Sequence, residues 1–122
     1  MDCNTPDVIP RLRSYGTTDY LFAVNDKREF GDYVGHHGLV MENGLPTDAV
    51  LSIAREGFVY DVLQSKQMDT KEENGKTLIN WHFGPCDGAL FMITRRPIKG
   101  IKIETVDEVA RGDTATIDIK VC

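Results

Sequence analysis

The 122-residue chain has only three cysteines, 8% aromatic residues and no excess of basic residues. The cysteines lie near the two ends and in one loop, without CxxC spacing, so they do not form the dense, even set of a disulfide framework. The net charge of −5 argues against nucleic acid as a partner, because phosphate binding needs a concentrated Lys/Arg face.

Long hydrophobic runs and nucleotide-binding motifs are also missing. No apolar run approaches the ~20 residues that span a bilayer, and the N-terminus lacks the basic-then-apolar order of a signal peptide. These absences predict either a cytosolic protein or a piece of a longer exported chain. The chain contains no phosphate loop, GxGxxG or GxSxG motif, and nothing in it predicts a cofactor.

What the sequence does contain is a series of short strand-like segments, of which 20–25 is apolar on both faces and most of the others alternate between apolar and polar residues. These segments are 20–25, 58–64, 76–83, 88–95, 98–106 and 114–121. Segment 47–56 fits a helix or a strand, and its β-branched Val50 and Ile53 favour the strand. Short strands at regular spacing predict an all-β fold, an antiparallel β-sandwich. We expect the following side chains to be substantially buried: Phe22, Tyr60, Trp81, Phe91 and Ile117.

The same pattern divides the chain into a lead-in and one domain. Residues 1–18 contain Pro6 and Pro10 and little periodicity, which predicts an extended lead-in with a short edge strand at 8–12. Residues 19–122 are expected to form a single sandwich domain. Within it, 98–121 places apolar residues on one face and polar residues on the other, which favours an outer strand pair of the same sandwich.

Three groups of residues were candidates for chemistry. Adjacent His36 and His37 in an extended loop point in opposite directions, so no metal site is expected there. A pairing of His82 with Cys86 needs hydrogen-bond contact, and the PCDG sequence around Cys86 is typical of a turn. Residues 111–113 spell the Arg-Gly-Asp tripeptide that integrins bind, but three residues before a strand are typical of an ordinary turn.

Three stretches carry a resemblance to a known family. "YLFAVND", "VYDVLQSKQ" and "GALFMITRRPI", in that order, resemble the accessory β-sandwich near the C-terminal end of many glycoside hydrolases. The longer pattern with "NDKREFGDYVG" and "GLVMENGLP" is similar to modules in large exported bacterial proteins. The resemblance covers roughly residues 11–97 and implies an immunoglobulin-like or glycosidase C-terminal-domain-like sandwich and an extracellular or periplasmic location. It carries no catalytic residue, because the catalytic carboxylates of such enzymes lie in a separate barrel domain.

The tail "IKGIKIETVDEVARGDTATIDIKV" is similar to the opening two strands of a bacterial immunoglobulin-like repeat. Residues 98–122 therefore either complete the first sandwich or begin a second repeat.

The resemblance favours a non-catalytic accessory domain that stabilises or spaces neighbouring domains of a larger carbohydrate-active or cell-surface protein. The alternative is a carbohydrate-binding module whose 30–39 loop contributes Tyr33, His36 and His37. A third hypothesis is a small enzyme that uses His36, His37 or His82. The expected partners are neighbouring domains of the parent chain or a polysaccharide, with no nucleic acid and no membrane span.

Overall fold

The computed structural model describes the backbone of residues 1–34 and 39–122, and the side chains of residues 1–31 and 42–122. Across these residues the chain forms strands and turns, with no helix and hence no helix that could cross a membrane. The strands are β1 (Asp2–Cys3), β2 (Val8–Tyr15), β3 (Thr18–Asn25), β4 (Arg28–Val34), β5 (Leu39–Gly44), β6 (Thr47–Ile53), β7 (Phe58–Asp61), β8 (Lys66–Gln67), β9 (Lys71–Glu73), β10 (Lys76–Phe83), β11 (Gly88–Thr94), β12 (Ile101–Glu104) and β13 (Asp118–Val121).

The strand pairs are antiparallel, which confirms the predicted all-β antiparallel class. A four-stranded sheet has the order β1-β6-β10-β9, and a five-stranded sheet has the order β2-β3-β11-β7-β8. Two further pairs, β4 with β5 and β12 with β13, form separate two-stranded sheets.

One apolar core joins the two larger sheets, in an arrangement consistent with a β-sandwich. Every second residue of the central strands faces this core, as the two-residue period of a strand requires. The ring of Trp81 on β10 meets the ring of Phe91 on β11 edge to face, with centroids 5.0 Å apart. The buried apolar residues are Val8, Leu21, Ala23, Ala49, Leu51, Ile53, Val59, Ile79, Phe83, Ala89, Phe91 and Ile93.

The ambiguous segment at 47–56 is a strand over Thr47–Ile53, as the β-branched residues predicted. It pairs with β10 from Thr47↔Phe83 to Ile53↔Thr77, so a helix there would leave the four-stranded sheet without its centre. The β9–β10 hairpin turns through Asn74 and Gly75, with φ of 52° and 74°. Both residues occupy the left-handed region that a two-residue hairpin requires, and Asn-Gly tolerates it.

Two of the five expected core residues are wrong. Phe22 is 43% exposed and Ile117 is also exposed, whereas Phe91 is fully buried as expected. Tyr60 and Trp81 are half-buried. The reason for the first error is that β3 is apolar on both faces, and its partners turn Leu21 and Ala23, rather than Phe22, toward the core.

The two ends of the chain behave differently from each other. The expected lead-in contributes β1 to the four-stranded sheet and β2 to the edge of the five-stranded sheet, where Val8–Tyr15 pairs along the whole of β3. The expectation that 98–121 adds strands to the sandwich is wrong, because β12 and β13 pair with each other and with neither large sheet. Ile101 and Ile103, expected to face inward, are exposed.

Asn25 joins three turns at one end of the sandwich. Its side chain is 3% exposed and donates from Nδ2 to the carbonyl oxygens of Leu45 and Gly84, each at 2.8 Å. Its Oδ1 accepts from the backbone N–H of Lys27 at 3.0 Å, and its own N–H donates to the Asp87 carbonyl at 2.9 Å. Asn25, the polar residue that ends β3, is thus buried and hydrogen-bonded through both its side chain and its backbone. Buried polar groups require such partners.

Candidate functional site: the outer face of the five-stranded sheet

The outer face of the five-stranded sheet carries apolar side chains where a solvated sheet would carry polar ones. The strand register aligns them in rows: Ile9 lies beside Val24, Phe22 lies beside Leu90, and Met92 lies between Tyr20 and Tyr60. Phe22 and Val24 are 43% and 51% exposed. We call this set the outer apolar face: Ile9, Tyr20, Phe22, Val24, Tyr60, Leu90 and Met92.

Contiguous exposed apolar surface of this kind marks an interaction site in a folded protein, whereas isolated exposed apolar residues do not. Arg11 and Arg13 are exposed on the edge strand β2, opposite Phe22 and Tyr20. They give the face a polar, positively charged margin on that side. An apolar centre with a polar rim is the anatomy of a protein–protein interface.

A cleft of about 540 Å³ opens at the side of the outer apolar face that is remote from β2. Its wall includes the side of the sheet at Tyr20, Tyr60 and Met92, together with Ile98. The N–H of Ile98 donates to the Tyr60 hydroxyl at 2.6 Å. This bond anchors the start of the tail beside the face, so the cleft lies between the sheet and the tail.

Asp61 shapes the turn beside this cleft. Its Oδ1 accepts from the N–H groups of Leu63 and Gln64, at 3.0 and 3.2 Å, so it holds the 62–65 turn as an Asx turn does. The carboxylate is almost fully buried, and its Oδ2 has no hydrogen-bond partner among the described residues. The turn residue Ser65 has a positive φ of 54°.

The carboxyl group of Asp19 on β3 has two hydrogen-bonding neighbours that lower its pKa. The Ser14 hydroxyl donates to Oδ1 and the Arg55 guanidinium donates to Oδ2, each at 2.6 Å. The Ser14 bond and the Arg55 bond and charge lower the pKa of Asp19 below its ordinary value, and its burial opposes them. This interaction ties β3 to the chain after β6, so its role is structural.

Of the residues predicted for sugar binding, the structure describes only the backbone of Tyr33. Tyr33 lies on β4 opposite Val40 in the backbone register, after an irregularity between Phe30 and Tyr33. His36, His37 and the side chain of Tyr33 lie outside the described residues. Phe30, at the start of the same segment, is 77% exposed.

Among the described residues, the side-chain partner of His82 is Asp48 rather than Cys86. His82 Nδ1 lies 2.6 Å from Asp48 Oδ1, in a pair that is exposed on the outer face of the four-stranded sheet. Cys86 lies in the β10–β11 turn with a φ of 56°, and its Sγ lies against Gly44. Among the described residues, no group of three or more His, Cys, Asp or Glu side chains converges as metal ligands would.

The Arg-Gly-Asp tripeptide lies in the exposed connection between β12 and β13. The Asp113 N–H donates to the Ala110 carbonyl at 3.0 Å, and Gly112 has a φ of 94°. This is a turn, as the sequence predicted.

No surface site was predicted on the outer apolar face, although the sequence carries a signal for one. Tyr20, Phe22 and Val24 alternate with Leu21 and Ala23, and a strand that is apolar on both faces predicts contact on both.

No family model, no curated protein and no solved structure matches this chain.

Proposed function

We propose that this chain is a non-catalytic accessory β-sandwich of a larger carbohydrate-active or cell-surface protein, and that it stabilises or spaces the neighbouring domains. The sandwich is proposed to be of immunoglobulin-like or glycosidase C-terminal-domain-like type. The outer apolar face is the observation that carries the proposal, because a domain that packs against a neighbour needs an apolar surface with a polar margin. The occupant is a neighbouring domain of the same parent chain.

Two further features support this function. Phe22 and Val24 lie on regular, paired strands, so their positions are fixed by the sheet rather than by a loop. The arginines at the margin suit a neighbour with an acidic border, since complementary charge at a rim sets orientation more than affinity.

The test compares the chain alone with its parent protein. A Phe22→Lys substitution is expected to lower the free energy of unfolding of the isolated chain by at most about 1 kcal/mol, because the position faces outward and loses only cross-strand contacts such as that with Leu90. In the parent protein the same substitution is expected to lower the melting temperature of the neighbouring domain. Tyr15→Lys is the matched control, since Tyr15 is exposed at the end of β2 and is not one of the residues that form the outer apolar face.

Two results would overturn the proposal. One is a parent reading frame that encodes no further domain beside this one. The other is a parent protein in which Phe22→Lys and Tyr15→Lys have the same effect on the neighbouring domain.

Carbohydrate binding by the 30–39 loop is the second candidate, and the exposed ring of Phe30 favours it. Aromatic faces stack on sugar rings, so a binder should be retarded in gels that contain its polysaccharide. We expect Phe30→Ala and Tyr33→Ala to abolish the retardation and Tyr15→Ala to preserve it. Equal retardation of all three variants would exclude this loop as the binding site.

A further inference from the structure

The tail forms an amphipathic two-stranded ribbon, β12 with β13, which we call the tail ribbon. Ile101 lies opposite Val121 and Ile103 opposite Ile119, so one side of the ribbon is wholly apolar. These four side chains are 59–66% exposed. A two-stranded ribbon is marginally stable in water, and three or more strands are needed for independent stability.

The other side of the tail ribbon places like charges opposite each other. Lys102 faces Lys120, and Glu104 faces Asp118. Lys102 instead forms an ion pair with Glu104 along its own strand, at 2.7 Å. Like charges directly opposite each other on paired strands are unfavourable. Lys120 and Asp118 therefore have no favourable charge interaction with the residues opposite them on β12.

The hydrogen-bond pattern leaves the second edge of β13 open. Gly100 and Cys122 exchange both backbone hydrogen bonds, at 3.3 and 2.9 Å. Along an antiparallel strand, successive residues direct their backbone N–H and C=O groups to opposite edges. Cys122 and Lys120 therefore direct these groups toward β12, whereas Val121 and Ile119 direct theirs toward the other edge of β13. No strand of the described chain pairs with this edge, and an exposed apolar edge of this kind is a template for another strand.

We propose that β13 pairs with β13 of a second copy of this chain, antiparallel about a twofold axis through Ile119. This register puts Ile119 opposite Ile119 of the partner subunit as a hydrogen-bonded pair. It also puts Asp118 opposite Lys120 of the partner subunit, and Lys120 opposite Asp118 of the partner subunit. The two ribbons become one four-stranded sheet, in which each charge of β13 has an opposite charge beside it.

Charge selects this register over its neighbours. An axis through Asp118 would place two aspartates opposite each other, and an axis through Lys120 would place two lysines opposite each other. Both arrangements repeat the like-charge contacts already present within the ribbon. The self-complementary sequence IDIKV at 117–121 is therefore the recognition element, and this interface is separate from the outer apolar face.

The test is sedimentation equilibrium of the full chain at low ionic strength, with reductant to keep the cysteines free. Wild type is expected to show a reversible monomer–dimer equilibrium. Lys120→Glu or Asp118→Lys alone should raise the dimer dissociation constant at least about tenfold, because two symmetry-related pairs become repulsive together. The double variant, with both substitutions, restores two opposite-charge pairs and should recover the dimer.

The single substitutions separate the dimer from the ribbon itself. Within the ribbon, position 120 lies opposite Lys102 and position 118 lies opposite Glu104. Lys120→Glu and Asp118→Lys therefore each replace a like-charge pair between β12 and β13 by an opposite-charge pair. Each single substitution should therefore stabilise the ribbon within one chain, whereas it should weaken the dimer. Ile119→Pro removes an outward N–H without removing a bond to β12, and it should also give a monomer.

Three outcomes would overturn the proposal. They are a wild-type chain that stays monomeric up to its solubility limit, a dimer unaffected by both single substitutions, and a dimer that Phe22→Lys abolishes. The last result would assign self-association to the outer apolar face.

Discussion

Replacement of Asn25 by alanine should destabilise the sandwich far more than the removal of one small polar side chain suggests. The change deletes two donors and one acceptor that hold three separate turns at one end of the core. Each such hydrogen bond contributes about 1 kcal/mol net to the free energy of unfolding. The backbone groups that lose their partner add a desolvation cost where they stay buried. The expected loss in free energy of unfolding is therefore about 3 kcal/mol, a large fraction of the 5–15 kcal/mol typical of a domain.

Urea denaturation followed by the fluorescence of Trp81 measures this loss, because that single tryptophan packs against the core. Asn43→Ala is the matched control, since Asn43 is an exposed asparagine on β5. The reasoning about Asn25 is refuted if its alanine variant costs less than about 1 kcal/mol or no more than the control.

An Asn25→Asp substitution adds a pH signature to the same test. It keeps the shape but points a carboxylate at two carbonyl oxygens in a buried site, which raises the pKa of the introduced group above its unfolded value. The folded state then binds more protons than the unfolded state between the two pKa values, so stability rises as the pH falls through that window. A variant with the same pH dependence as Asn25→Ala would show that the carboxylate escapes to solvent.

Four further outcomes are expected. Trp81→Ala should cost about 2–3 kcal/mol, less than the ~3–5 kcal/mol of a fully buried aromatic, because Trp81 is half-buried against Phe91. A cost below about 1 kcal/mol, followed by circular dichroism, would refute this packing. Asp19→Asn should cost roughly 1 kcal/mol at neutral pH by weakening the bonds from Ser14 and Arg55. Because the pKa of Asp19 is lowered on folding, its contribution is present above the unfolded pKa and is lost as the pH falls through the folded one. The variant and wild type should therefore converge in urea titrations at acid pH, and a constant gap would refute this. Deletion of residues 100–122 should leave one cooperative unfolding transition of nearly unchanged midpoint, since the tail ribbon joins neither large sheet, and a broad or lost transition would contradict that separation. Chelator treatment should leave the melting temperature unchanged, because a structural metal contributes folding free energy directly, and a marked drop would reveal a metal site.

The sequence by itself determined the class of fold and many of its elements. Apolar runs and alternation predicted the strands at 20–25, 76–83 and 88–95, and the β-branched residues predicted strand over helix at β6. These features follow from local physics, because the side-chain period depends on residues close together in the chain. The sequence also led us to expect a buried Trp81, and it lies half-buried against the core.

Only the tertiary structure decided which face of an apolar strand is inside. The sequence pattern allows either Phe22 or Leu21 to face the core. The pairing of β3 with β2 and β11 places Leu21 in the core and Phe22 on the outer face. The tail shows the same limit, since its alternation predicted an inward face at Ile103 but could not say which sheet would receive it. A one-residue change of facing moves every side chain of a strand between core and solvent. The outer apolar face and the open edge of β13 therefore emerge only once the strands are paired.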